Sequence, residues 1–343
     1  MRGTLALAFL TAPAAVLAQP APKPLFANDA PIQVKIQGPM GSIARRAAKS
    51  VEPESGTLSM TAPAESHPIR ISPRGLSRRT SGICDFPPLR VEFTPGPAAP
   101  SLFAGQKRLK LVTHCKSSSG HQQYVLLEYS AYRLFNVLSP VSFKVRLATV
   151  EYTETSGKNY ATRWGFFIED GDDVAKRNGL KEIRVPDRVA TTQLDPAQAG
   201  RVALFMYMIG NLDWSMRAGS AGEGCCHNTR LLSATGGTLV SVPYDFDYSG
   251  LVDAPYAVPP EKIRVRNVRQ RYYQGYCRFN ANALAAAAEM RAKRSELEAV
   301  YSQIPGMDAR TSSKALAYLA SFFDEIATDQ AVRDNITKNC VAA

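Results

Sequence analysis

Short runs in which apolar and polar residues alternate dominate the first half of the chain. Ile32-Gln33-Val34-Lys35-Ile36, Pro68-Ile69-Arg70-Ile71 and Leu89-Arg90-Val91-Glu92-Phe93 each place every second side chain on one face, which is the period of a half-buried strand. Residues 109–112 predict another strand. A Ser/Gly loop then leads into residues 123–137, where Val125, Leu126, Tyr129, Tyr132 and Leu134 form a helical stripe. Two more strands are expected over 141–150 and 164–168. After about residue 170 the period changes. Residues 196–209 predict an apolar helix stopped by Gly210, a residue suited to a helix C-cap. Residues 280–300 and 311–338 predict Ala-rich amphipathic helices, the second with Leu316, Leu319, Phe322, Phe323 and Ile326 toward the core.

The N-terminus reads differently from all of this. Met1-Arg2, the apolar run from Leu5 to Leu10 and the small-residue site Val16-Leu17-Ala18 have the layout of a signal peptide cleaved after Ala18. The expected organisation is a signal peptide (1–18), a flexible Pro/Ala-rich leader (19–30), a β-rich part with one helix (31–170) and a mainly helical part with long loops (171–343). No later run reaches the length of a membrane-spanning helix. A secreted or periplasmic protein is expected.

Export bears on the six cysteines, because thiols pair in an oxidising compartment. Cys84 with Cys115 and Cys277 with Cys340 are the expected bridges. Cys225, Cys226 and His227 are adjacent, but their spacing does not fit a zinc site. With 45% hydrophobic and 21% charged residues, the composition excludes a disordered or fibrous chain. The net charge of +11 favours anionic partners. The arginines are dispersed and no nucleic-acid-binding motif occurs, so nucleic acid is not an expected partner.

The densest polar cluster lies in the loops of the second half: Asn211-Leu212-Asp213, His227-Asn228 and Tyr244-Asp245-Phe246-Asp247-Tyr248. Carboxylates and a carboxamide on loops that follow apolar segments can converge at one edge of a core, where oxygen ligands suit a hard cation such as Mg2+. Such a set serves phosphoryl transfer, in which positioning and charge neutralisation supply most of the catalysis.

In the order of these loops the chain resembles the atypical protein kinases of the spore-coat protein H type, distant relatives of secretory-pathway kinases. The similarity covers about residues 68–260 and includes Arg74-Gly75-Leu76-Ser77-Arg78, Glu128 and Trp164-Gly165-Phe166-Phe167-Ile168-Glu169-Asp170. It implies an α+β, two-lobed protein-kinase-like fold with a β-rich N-terminal lobe and a mainly helical C-terminal lobe. By the same resemblance Asp213 is the catalytic aspartate, and Asn228 and Asp245 hold the metal. Asp247, where the family pattern has glycine, is a further candidate ligand. Lys110, on a strand eighteen residues before Glu128, is expected to pair with that glutamate and grip the ATP phosphates, with Arg90 as its rival. Glu169 is placed near adenine, and the basic 74–79 segment replaces the missing Gly-rich phosphate loop.

The function expected from this reading is an exported kinase-like phosphotransferase that uses ATP with Mg2+ or Mn2+ and a hydroxyl acceptor on a protein or small molecule. A catalytically inactive kinase-fold binding protein of the envelope and a metal-dependent sugar-nucleotide transferase are the alternatives.

Overall fold

A computed structural model describes residues 20–80, 82–220 and 222–342, so the expected signal peptide lies outside the described residues. The first half folds as β1 (Ile32–Gln37), α1 (Met40–Arg46), β2 (Glu54–Thr61), β3 (Ala64–Pro73), β4 (Leu89–Phe93), β5 (Arg108–Val112), α2 (Gln122–Leu138), β6 (Val145–Thr153) and β7 (Asn159–Ile168). Within the Pro/Ala-rich leader, Leu25 and Phe26 are buried and Arg146 donates to the carbonyls of Leu25 and Asn28. The chain is therefore anchored from Pro24 onward.

The strands close into a mixed barrel in the order β1-β2-β3-β4-β5-β7-β6. Closure comes from parallel pairing of β1 with β6, Ile32 opposite Ala148 through Gln37 opposite Thr153. This overturns the two-lobed protein-kinase-like fold expected above. A sheet whose first and last strands pair with each other leaves no open edge, and the alternating apolar faces fill a closed interior. Val34, Ile36, Leu58, Ile71, Val91, Leu109, Leu111, Val150 and Phe167 pack there in one cluster.

The second half is not purely helical. After α3 (Gly171–Arg177), β8 (Lys181–Glu182) and α4 (Pro196–Ile209), the strands β9 (Thr229–Ser233) and β10 (Val240–Pro243) complete a three-stranded sheet ordered β10-β9-β8. Then follow α5 (Asn280–Ala292), α6 (Arg294–Ser302), α7 (Ala309–Glu325) and α8 (Asp329–Asn335). Each of the two long helices expected at the C-terminal end is thus broken into two. A second apolar cluster joins α2 to α4 through α8, with Phe135, Phe205, Phe246, Phe279 and Phe322 in it.

Disulfides join Cys84 to Cys115, Cys277 to Cys340, and Cys225 to Cys226. Among the described residues no helix is long and apolar enough to cross a membrane.

His114 is sealed beside the barrel, stacked on Phe86 with ring centroids 4.8 Å apart, and its Nδ1 has no partner. Burial, with Arg163 adding to it, holds this imidazole down at about 4. The unfolded chain takes up the proton near pH 6.5 and the folded chain does not, so stability falls as pH drops from about 6.5 toward 4 and is flat above. His114→Phe is expected to remove about 2 kcal/mol of the stability loss between pH 7.5 and 4.5, because each tenfold difference in proton affinity between the two states is worth about 1.4 kcal/mol. Urea midpoints at the two pH values check this; an equal acid loss in the variant would place the titrating group elsewhere.

Candidate functional site

Three loops meet at one cleft because the elements before and after them are held together. Asp195 caps α4, its carboxylate accepting from the Gln198 amide at 2.8 Å, and Pro196 occupies the first turn. The helix ends at Gly210 in the left-handed conformation (φ 63°). A Cβ there would lie 2.2 Å from the Tyr318 hydroxyl, so the turn needs glycine. The chain then turns at Asn211, whose Oδ1 accepts from the Asp213 amide at 2.9 Å, and presents Asp213.

The other two loops are the open end of the β9–β10 hairpin. Thr229 pairs with Pro243, which puts His227-Asn228 beside Tyr244-Asp245, and the Tyr244 amide donates to the Asn228 carbonyl at 3.0 Å. The Ser215 amide donates to the His227 carbonyl at 2.9 Å and ties in the Asp213 loop. Asn228 and Asp245 both have positive φ, 48° and 65°. Outside glycine such backbone costs on the order of 1 kcal/mol or more, and it concentrates at binding and catalytic sites.

The fourth wall comes from the first half. The 74–79 segment between β3 and β4 lines the cleft with Arg74, Gly75, Ser77 and Arg78, opposite Asp213, Asn228, Asp245 and Asp247; the cavity holds about 330 Å³. Helix α2 contributes two side chains one turn apart on one face. Tyr132 accepts the Asp245 amide at 2.9 Å, and Glu128 lies 3.6 Å from the Arg78 guanidinium.

Asp213 accepts from His227 Nε2 at 2.8 Å and from Asn228 Nδ2 at 3.1 Å, while about a third of its side chain stays exposed. The hydrogen bond to Asp213 raises the His227 imidazole above its ordinary range. The Asp245 carboxylate takes no hydrogen bond or ion pair from any described residue. Asp247 is different: Oδ2 meets Arg78 at 3.5 Å and the Tyr256 hydroxyl at 3.1 Å. Burial, opposed by Arg78, pushes its carboxyl up to about 6. Burial also raises the Glu128 carboxyl well above its ordinary range, again against Arg78, and Glu128 Oε1 is left without a partner. Arg78 thus serves two buried carboxylates at once.

The structure places Asp213, Asn228, Asp245 and Asp247 on one cleft, sets Glu128 behind it against Arg78, and leaves Lys110 and Glu169 outside its lining. The expected Lys110–Glu128 pair is not formed, since Glu128 turns to Arg78 and Lys110 stands over the Tyr244 ring at 4.9 Å. Glu169 does not line the cleft. It is 1% exposed and consumed by Arg177 at 3.0 Å and the Lys144 amide at 2.9 Å. Asp247, expected as a further metal ligand, is instead engaged by Arg78 and the Tyr256 hydroxyl. Arg78 itself reads as a solvated arginine in the sequence; what marks it is its place in the Arg74–Arg78 segment of the resemblance, not its charge.

Among the described residues no three His, Cys, Asp or Glu side chains stand close enough to cage a metal ion. Mg2+ rarely uses such a cage, however, and is usually held by one or two carboxylates together with phosphate oxygens and water. The free carboxylate of Asp245 and the Asn228 carboxamide oxygen fit that role. No family model matches this chain, and none of the curated proteins compared with it does.

Proposed function

We propose that this cleft transfers the terminal phosphoryl group of a nucleoside triphosphate, ATP with Mg2+ or Mn2+, to a hydroxyl of a protein or small molecule. The observation that carries the reading is the convergence of Asp213, Asn228 and Asp245 from three loops on one cavity faced by Arg74 and Arg78. Arginines suit phosphate oxygens through paired N–H donors. A divalent ion held by Asp245 and Asn228 would neutralise phosphate charge. Asp213, oriented by His227 and Asn228, accepts the proton of the acceptor hydroxyl. Its place in the order of the site loops, shared with the spore-coat protein H type of kinase, supports the same role. Three disulfides suit an oxidising compartment, and we place the protein outside the cytoplasm, in the periplasm or secreted.

Incubating the mature chain with γ-labelled ATP, Mg2+ or Mn2+ and an extract of envelope proteins and metabolites tests this directly. Label is expected in an acceptor or in the chain itself. Label transfer that persists in Asp245→Ala would dismiss the metal assignment, and nucleotide binding without transfer would favour a binding protein over an enzyme.

A further inference from the structure

The Cys225–Cys226 disulfide directly precedes the His227-Asn228 pair of the cleft. We propose that this bridge positions His227 and Asn228 against Asp213, and that its reduction by a dithiol switches the cleft off. The inference deepens the phosphotransfer reading and rests on it for the activity that is regulated.

A disulfide stabilises a fold chiefly through the loop it closes, and the gain rises with the length of that loop. Cys84–Cys115 and Cys277–Cys340 join residues 31 and 63 apart, whereas Cys225 and Cys226 are neighbours. Removing this bridge therefore costs the global fold little. By linkage, a fold that gains little from a bridge does little to protect it from reduction, so this is the bridge a dithiol opens first. Both cysteines are half-buried, and Cys225 borders a concavity of about 550 Å³, which gives an attacking thiolate access.

What the bridge constrains is local. On one side the Cys225 amide donates to the Val185 carbonyl at 2.9 Å, and the two segments lie so close that a Cβ on Gly224 would stand 2.7 Å from the same oxygen. On the other side the His227 amide donates to the Ala218 carbonyl at 3.0 Å, and the His227 carbonyl accepts from the Ser215 amide at 2.9 Å. The bridged pair is thus held between the segment after β8 and the Asp213 loop. The next two side chains orient the catalytic aspartate. His227 Nε2 meets Asp213 Oδ1 at 2.8 Å, and Asn228 Nδ2 donates to the Asp213 carbonyl at 2.7 Å and to Oδ2 at 3.1 Å. Opening the bridge removes the covalent constraint on the backbone that leads into the left-handed Asn228 (φ 48°). A displacement of about 1 Å in a positioning group can cost roughly 100-fold in rate.

In the reduction, a thiolate of the dithiol attacks one of the two sulfurs and the other leaves as a thiolate. The second thiol of the reductant then displaces the remaining cysteine from the mixed disulfide. The reductant ends as a disulfide and the two cysteines as thiols, having taken up two electrons and two protons.

Limited reduction of the mature chain with dithiothreitol, followed by alkylation and mass mapping, shows which bridge opens. Cys225 and Cys226 are expected to be alkylated before the other four cysteines. In that form label transfer from ATP is expected to fall about tenfold or more and to return on reoxidation. Tm is expected to shift by less than about 3 °C, which separates positioning from a loss of fold. Amide exchange over residues 215–228 is expected to speed up, and it reads the switch without reference to the reaction. The double variant Cys225→Ser, Cys226→Ser is expected to behave as the reduced form and to ignore dithiothreitol. Another bridge opening first, exchange that reduction leaves unchanged, or a double variant as active as the oxidised wild type would overturn the proposal. Faster exchange with no label transfer in either form would instead overturn the phosphotransfer reading and leave the bridge's hold on the His227-Asn228 segment standing.

Discussion

Arg78→Met is expected to destabilise the protein by about 3–5 kcal/mol, the usual cost of removing one partner from a buried ion pair. Arg78 is 7% exposed and lies between Glu128 at 3.6 Å and Asp247 at 3.5 Å, themselves buried. Without the guanidinium two buried carboxylates are left without a counter-charge, and burial already favours their neutral forms. Adding Glu128→Gln to the Arg78→Met background should recover part of the loss, because it removes one uncompensated charge. Urea unfolding of the two variants measures both effects. A cost below about 1 kcal/mol for Arg78→Met would mean that the network does not hold the cleft wall in place.

The second large effect is catalytic. Asp213→Asn is expected to lower label transfer roughly 100- to 10,000-fold, the range for losing a general base, while changing stability little. The side chain is about a third exposed, so its replacement leaves no buried charge behind. Its partners add a diagnostic. His227→Gln keeps a donor toward Asp213 and should cost less than Asp213→Asn, since it alters orientation and charge without removing the base. If Asp213→Asn transfers label within about threefold of wild type, proton removal lies elsewhere, whatever the metal does.

These two residues also mark how far the sequence can be read. Asp213 is legible because Gly210 announces the end of an apolar helix and a polar loop must follow; the helix bounds, 196–209, agree with α4. Strand β4 is legible in full from its alternation. Asn228 and Asp245 are visible as polar residues beside apolar runs, although the hairpin that joins them is not. Its strands are only five and four residues long, too short for periodicity to speak.

What escapes a local reading is non-local. Closure of the barrel depends on β1 reaching β6, a pairing no local pattern announces, and β2, rich in Ser, Thr and Gly, carries little alternation. The kinase-like architecture rests on motif order, and motif order does not determine how strands pair. Arg78 is lost in a run of arginines. Its burial is decided by Glu128, fifty residues on, and by Asp247, much farther still. The Lys110–Glu128 pair fails for the same reason: Lys110 is on the outer face of β5 as its alternation requires, but Glu128 already has a cation from the 74–79 segment.

On the proposed function Asp245 and Asn228, set by the left-handed turns of one hairpin mouth, would hold a divalent ion for a triphosphate faced by Arg74 and Arg78. Calorimetric titration of the mature chain with a non-hydrolysable ATP analogue tests it most directly. Binding is expected with Mg2+ present, weakened at least about tenfold, or about 1.4 kcal/mol, by chelation and by Asp245→Ala. Absence of binding both with and without Mg2+, or binding that neither change affects, would contradict it.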